Sequence, residues 1–304
     1  GCQPTTPPPD TIVIGKLYTL NPQQPEAQAV AIQGGRFRFV GSQEEALKLA
    51  DSNTAVIYLD NAVAYPGLID AHVHVAGIGS ALRSVDLRSA QDFSELIERV
   101  RARAGALRPG TVILGTGWHQ SKWAQPPEGH LNGFPTHEAL SRAVPSHPVL
   151  LEHANGHSVL LNQAAMDSLG ITGGSIAPEG GVIVRRNGAP TGLLHETAIK
   201  LTAPLQHYDL KTATSLVDAA QWHLLSQGIT TAHDAGASQV DLAAQTRMAQ
   251  KGSLIVRLYS MVYASDEGAM EEWLARGPLL NDGDHRLAVR SIKVQADGAL
   301  GSRT

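Results

Sequence analysis

The chain has 304 residues, of which 42% are hydrophobic and 17% charged, with a formal net charge of −4. Such a chain can bury one large core; it offers no basic footprint for nucleic acid, and no apolar run approaches the roughly 18 residues of a membrane-spanning helix. Thirteen histidines against four phenylalanines direct attention to imidazole chemistry, and the single cysteine, Cys2, excludes an intrachain disulfide.

The first ten residues run Gly1-Cys2-Gln3-Pro4-Thr5-Thr6-Pro7-Pro8-Pro9-Asp10. A Gly-Cys pair before a Pro/Thr-rich stretch resembles the end of a bacterial lipoprotein signal, which predicts a lipid anchor at Cys2 and a membrane-anchored, extracytoplasmic protein on the periplasmic side. The alternative is a trimmed start on a cytoplasmic protein; either way residues 1–10 form a semi-extended tether. Strands are predicted over 11–20, 27–32 and 36–40, with Gly34-Gly35 as a hairpin turn between the last two. A short helix over 43–51 and a strand over 55–59 complete a small, mostly β unit at 11–64.

Tyr65-Pro66-Gly67 punctuates the chain, and over 65–304 strand-like apolar runs alternate with helical patterns. Asp92 and Glu95 read as a capping box ahead of Phe93, Leu96, Ile97 and Val100 at helical spacing. Residues 105–200, rich in Gly, Pro, His and Trp, break the alternation and read as a large insertion folded over the main sheet, where pockets are often shaped. A helix over 213–227 carries Leu216, Val217, Ala220 and Leu224 on one face and stops at Gly228. Strands follow over 229–232, 254–262 and 289–296. This order predicts a parallel sheet with helices on both faces.

The strongest chemical signal is Pro66-Gly67-Leu68-Ile69-Asp70-Ala71-His72-Val73-His74. Alternate residues of a strand share a face, so Asp70, His72 and His74 point one way and Ile69, Ala71 and Val73 the other. Two imidazoles at i and i+2 can reach one divalent ion, and imidazole nitrogen suits Zn²⁺ and its neighbours. A bare His-x-His is weak evidence; here the pair ends what reads as a buried strand, directly after a Pro-Gly entry and an aligned Asp.

That segment resembles the first barrel strand of the amidohydrolase superfamily of metal-dependent hydrolases. Further matches follow in order: Gly117-Trp118-His119, His153-Ala154-Asn155-Gly156-His157-Ser158 with Asn162, Gly192-Leu193-Leu194-His195-Glu196, Gly228-Ile229-Thr230-Thr231 and Lys293-Val294-Gln295-Ala296-Asp297-Gly298. Together they are similar to the branch containing N-substituted formamide deformylases and other exocyclic amidohydrolases. The resemblance implies an α/β fold: a (β/α)8 TIM-type barrel, with a small β-sandwich built from both chain ends and an insertion after the first barrel strand. It implies a lysine on the fourth barrel strand, two later histidines and a general-base aspartate. Only about four barrel strands are countable where the fold needs eight. The expectation is therefore an N-terminal portion, inactive by itself, with the general base beyond residue 304.

Lys293 fits the bridging lysine if the insertion is skipped. Ile292, Val294 and Ala296 share one face of its strand and Lys293, Gln295 and Asp297 the other. One reading is a half-exposed strand with a solvated lysine; the other turns the polar face into the barrel, where an ammonium is costly and a neutral amine can take up CO₂ as a carbamate bridging two metals. Glu196 is the alternative ligand should no carbamate form. Asp70, Trp118, His157, Glu196, His233 and Asp297 are candidates for the substrate pocket or for orienting the ligands, with His195, Arg257 and Tyr259 behind them; Trp118 and Trp123 read equally well as packing. The function implied is hydrolysis of an amide-type C–N bond in a small-molecule substrate, with one or two divalent ions, Zn foremost, acidifying a water. A homo-oligomer is compatible with this reading. Its rivals are a non-catalytic, membrane-tethered metal- or ligand-binding protein on a degenerate barrel, and a deaminase or cyclic-amide hydrolase of the same superfamily.

Overall fold

The computed structural model describes residues 7–295. The expectations for Cys2 and Asp297 lie outside the described residues. The rest divides into two compact units: residues 7–69 with 228–231, and residues 70–227 with 232–295.

In the first unit, Ile12 and Ile14 alternate inward along β1 (Thr11–Tyr18). β1 pairs antiparallel with β2 (Glu26–Gln33), which turns through Gly34-Gly35 into β3 (Arg36–Gly41). Both glycines have positive φ, 53° and 70°, as a tight two-residue hairpin requires. Helix α1 (Gln43–Leu47), capped by Ser42, packs Ala46 against Ile12, Ile14, Ala29 and Ala31. β4 (Ala55–Ala64) is longer than its apolar run predicts and joins β1 in parallel, giving the order β3-β2-β1-β4. This is one sheet with one small helix; the second sheet of the expected sandwich is not found among the described residues.

The second unit contains two sheets. Its first elements are β5 (Leu68–Val73), α2 (Val75–Arg83), β6 (Val85–Asp86), α3 (Phe93–Gly105), β7 (Ile113–Trp118), α4 (His137–Ala143) and β8 (Val149–His153). Then follow β9 (Ser158–Leu161), α5 (Gln163–Leu169), β10 (Gly181–Arg186), β11 (Ala189–Glu196), α6 (Ala203–Gln206) and α7 (Leu210–Ser226). Last come β12 (Ile229–Ala237), α8 (Gln239–Gln250), β13 (Arg257–Tyr263), α9 (Glu267–Arg276), β14 (Leu279–Asp282) and β15 (Leu287–Lys293).

Strands β6 to β11 form a six-stranded sheet in the order β10-β11-β9-β8-β7-β6. β6, β7 and β8 are parallel, and β8, β9, β11 and β10 are successively antiparallel. Alternation builds a core on each face: Leu151, Leu160 and Leu193 pack with Phe93, Leu96 and Leu140, while Leu150, Leu161 and Leu194 pack with Met166 and Ile183. Each such leucine, fully withdrawn from water, contributes about 1.5–3 kcal/mol. The stretch read as an insertion at 105–200 lies in this sheet, which stands in sequence between β5 and β12, neighbours in the other sheet, and it is more regular than expected. Helix–strand alternation continues through α3, β7, α4 and β8, and the sheet starts at Val85. Strands of two to eight residues joined by long Gly/Pro-rich connections blur the periodicity.

The other sheet runs β14-β15-β13-β12-β5. β13 and β15 are parallel, and β14 is an antiparallel edge. It is open: no closed barrel exists among the described residues. On α7, Leu216, Val217, Ala220 and Leu224 are buried as their spacing predicts, and α7 packs on α2 and α8. The approach to α2 is tight, since a Cβ on Gly79 would fall 2.2 Å from the carbonyl oxygen of Leu216. Ile292, read as lying under helices, is 43% exposed and lines an open groove beside Trp273 and Leu274 of α9.

Candidate functional site

β5 delivers the His-x-His pair. Val73 is buried and His72 and His74 are exposed, but Leu68, Ile69 and Ala71 are exposed too, so the strand expected to be buried is buried only at its end, where it gives way to α2. Their rings stand edge to face with centroids 5.7 Å apart. Asp70 Oδ1 accepts from the backbone N–H of His72 at 3.0 Å and so stiffens the turn before the pair. Burial, then the neighbouring His72, then Lys293 push the pKa of His74 below the ordinary histidine value. All three favour the neutral imidazole, the form that ligates a metal.

Lys293, the last residue of β15, pairs in register with Tyr263 of β13. Its Cγ would lie 3.5 Å from a Cβ placed on Gly236, so it sits beside the end of β12. Its charge is the last of the causes that lower the pKa of His74; in the sheet order β13 and β12 stand between β15 and β5. His233 on β12 lies against Tyr259 on β13, ring centroids 5.1 Å apart, and Arg290 stacks over the other residue of that pair, Tyr259, at 5.4 Å. Asp234 points the opposite way, is 2% exposed, and burial raises its pKa to about 6.

A second group of polar side chains gathers at one end of the six-stranded sheet. The carboxyl ends of β7, β8 and β11 meet the amino end of β9 there, because β9 runs against both β8 and β11. Trp118, His119, His153, His157, Ser158, His195 and Glu196 are thereby assembled. Asn155 N donates to His153 Nδ1 at 3.2 Å, which leaves the proton on Nε2 for Gln120 Oε1 at 2.8 Å. His195 Nδ1 meets Ser158 Oγ at 2.8 Å, and His157 Nδ1 meets Glu196 Oε2 at 3.0 Å. Burial lowers the pKa of both His153 and His195. Trp118 and Trp123 are core residues: both are buried, and their indole N–H groups donate to the carbonyls of Leu151 and Ala90. Trp118 is therefore packing rather than pocket wall.

The structure thus brings His72 and His74 together, places Lys293 beside Gly236 and Tyr263 and His233 on the strand next to β5, and puts Trp118, His157 and Glu196 on the other sheet. Among the described residues, no three His, Cys, Asp or Glu side chains converge as a ready metal site. The donors that fit a divalent ion are the two imidazoles of β5. Sequence reasoning passed over His153 as a site residue and noted Asp234 only with His233, at the end of a predicted barrel strand where active-site residues collect. His153 is recognisable only once four strand ends are known to coincide, and Asp234 only by its contacts with distant segments.

A family model described as the amidohydrolase family matches residues 55–304. The chain is 30% identical over 304 aligned residues to YtcJ of Bacillus subtilis, a protein named as an amidohydrolase, covering 95% of this chain and 54% of that one. It is 30% identical over 232 residues to the N-substituted formamide deformylase of Arthrobacter pascens, covering 74% of this chain and 42% of the deformylase. The chain thus spans about half the length of these relatives. An uncharacterised metal-dependent hydrolase from Pyrococcus furiosus superposes with a TM-score of 0.77 at 25% identity, over 97% of this chain and 58% of that one. A second, from Pyrococcus horikoshii, shares the fold with a TM-score of 0.78 at 23% identity, over 97% of this chain and 56% of its own.

Proposed function

This chain belongs to the amidohydrolase family, and from that premise we propose that the whole protein is a metal-dependent hydrolase of an amide-type C–N bond. The observation carrying this reading is the pair His72 and His74 at the end of β5, rings 5.7 Å apart. His72 and His74 would hold a divalent ion, zinc foremost, and Lys293, as a carbamate, would bridge it to a second. The five-stranded sheet is then the first part of a (β/α)8 barrel, whose active sites lie at the carboxyl ends of the strands. A bound ion supplies a Lewis acid and brings a water to a pKa near ~7.

The remaining work falls to the chain itself. Asp70 holds the backbone of His72, Val73 anchors the end of the strand, and partial desolvation beside His72 favours the neutral form of His74. Tyr259, between His233 and Arg290, offers an aromatic face with a cation over it for the polar end of a substrate. The substrate class named for the Arthrobacter pascens relative makes N-substituted formamides the first compounds to test. The test is release of formate and amine from a formamide panel by the zinc-loaded whole protein. Turnover should disappear with a chelator and in His72→Ala/His74→Ala; turnover surviving both removes the metal from the mechanism. A carbamate signal at Lys293 after ¹³C-bicarbonate exchange, absent in Lys293→Met, tests the bridge separately.

A further inference from the structure

Helix α2 starts without help from its own cap residue. His74 occupies the N-cap position, with φ −119° and ψ 97°, and its side chain makes no capping hydrogen bond. Ser, Thr, Asp or Asn normally stands at such a position and accepts from the first-turn N–H groups, which have no partner within the helix. Here the acceptor comes from 159 positions along the chain: Val75 N donates to Asp234 Oδ1 at 3.3 Å. Asp234 Oδ2 accepts from Gln245 Nε2 at 2.8 Å, and Ser260 Oγ donates to Gln245 Oε1 at 2.6 Å. Asp234 is 2% exposed, Gln245 and Ser260 are fully buried, and Val75 is 1% exposed.

The direction of this chain of bonds is fixed. A hydroxyl gives to the amide oxygen, the amide nitrogen gives to one carboxylate oxygen, and the helix N–H gives to the other. The carboxylate also faces the positive end of the α2 dipole. A carboxyl group taken so far out of water is costly, and it is met here by a donor at each oxygen. Gln245 lies on α8 and Ser260 on β13, so three elements fix the carboxylate where α2 begins. A capping side chain at position 74 would have to fold back over the first turn. With Asp234 doing that work, the imidazole of His74 faces His72 instead.

We propose that Asp234 is a positioning residue of the metal site: it caps α2 in place of His74, frees that imidazole to ligate, and is itself held in orientation by Gln245 and Ser260. The inference rests on the reading of His72 and His74 as ligands. The test compares zinc affinity, by competition with a chromophoric chelator, and the cobalt absorption spectrum in the wild-type whole protein, Asp234→Ala, Asp234→Asn, Gln245→Leu and Leu140→Ala. Asp234→Ala should weaken zinc binding roughly 10- to 100-fold, the usual effect of removing a group that orients a ligand, and alter the cobalt spectrum. Asp234→Asn keeps an oxygen for Val75 N–H and allows the Gln245 amide to turn over, so it should retain most of the affinity. Leu140→Ala, in the core of the other sheet, should lower thermal stability and leave zinc affinity unchanged. Should Asp234→Ala fail to fold, Gln245→Leu tests the same link and should weaken binding by a smaller factor. Wild-type affinity in a folded Asp234→Ala, or an equal loss in Leu140→Ala, overturns the proposal while the metal site stands. No zinc bound by the wild type overturns the metal site itself, and the positioning role with it.

Discussion

The two sheets of the second unit both gather histidines at one end, and they treat them differently. At the end of β8, β9 and β11, each imidazole is committed: His153 between Asn155 and Gln120, His195 to Ser158, His157 to Glu196. At the end of β5, no hydrogen bond engages either imidazole of the His-x-His pair among the described residues, and both side chains are exposed. Committed imidazoles hold a structure together, whereas uncommitted and adjacent ones are available to a metal. The number of histidines in a region carries less information than where their ring nitrogens go.

The largest effect should come from breaking the uncommitted pair. His72→Ala/His74→Ala is expected to abolish bound metal while leaving the thermal transition of the metal-free protein nearly unchanged, since both side chains are exposed. A large drop in the metal-free transition would show that these histidines are structural after all.

Next in size is the buried carboxyl behind them. Asp234 has a pKa of about 6 in the folded protein, above the ordinary aspartate value of 3.8, with burial as the main cause and Asp241 adding to it. Below about pH 4 the group is neutral folded or unfolded, and its burial carries no charge penalty. Between about pH 4 and 6 the unfolded chain has released a proton that the folded one keeps, so wild type should lose stability relative to Asp234→Asn as pH rises. The change should reach about 3 kcal/mol and level off above the folded pKa. Urea midpoints of the metal-free proteins at a series of pH values check this; a difference independent of pH contradicts it.

On the committed side, Ser158→Ala should cost about 1–3 kcal/mol by leaving His195 Nδ1 without its buried partner, with zinc affinity unaffected. Glu196→Gln, in an exposed pair, should change stability by less than about 1 kcal/mol. If instead Glu196→Gln removes bound metal, Glu196 is a ligand, and the line drawn between the two sheets is in the wrong place.

What the sequence disclosed follows the range of the interactions involved. Period-two alternation along Asp70-Ala71-His72-Val73-His74 needs only the strand itself, and it located the pair. The 3.6-residue spacing on α7 and the Gly34-Gly35 hairpin were legible for the same reason. The Asp92 cap was half legible: Asp92 does accept from Glu95 N, but Glu95 reaches back to Gln91 N rather than closing the box. The regular alternation inside the stretch read as an insertion was not legible, because its strands are short and its pairing joins segments such as Leu160 and Leu193. Asp234 was visible only as a polar residue at a strand end; its partner Val75 lies on the far side of the whole six-stranded sheet in sequence, and no local pattern encodes that contact. Trp118 stood open between wall and packing until its indole N–H was placed on Leu151 O.

The most direct test is zinc stoichiometry by elemental analysis of the whole protein, comparing wild type with two double variants. His72→Ala/His74→Ala removes the uncommitted pair, and His119→Asn/His157→Gln removes as many histidines from the other sheet. The account predicts one or two equivalents of zinc (about that number, as for metal-assisted hydrolysis) in wild type and in His119→Asn/His157→Gln, and none in His72→Ala/His74→Ala. Zinc retained by His72→Ala/His74→Ala and lost from His119→Asn/His157→Gln would contradict it and move the metal centre to the other sheet.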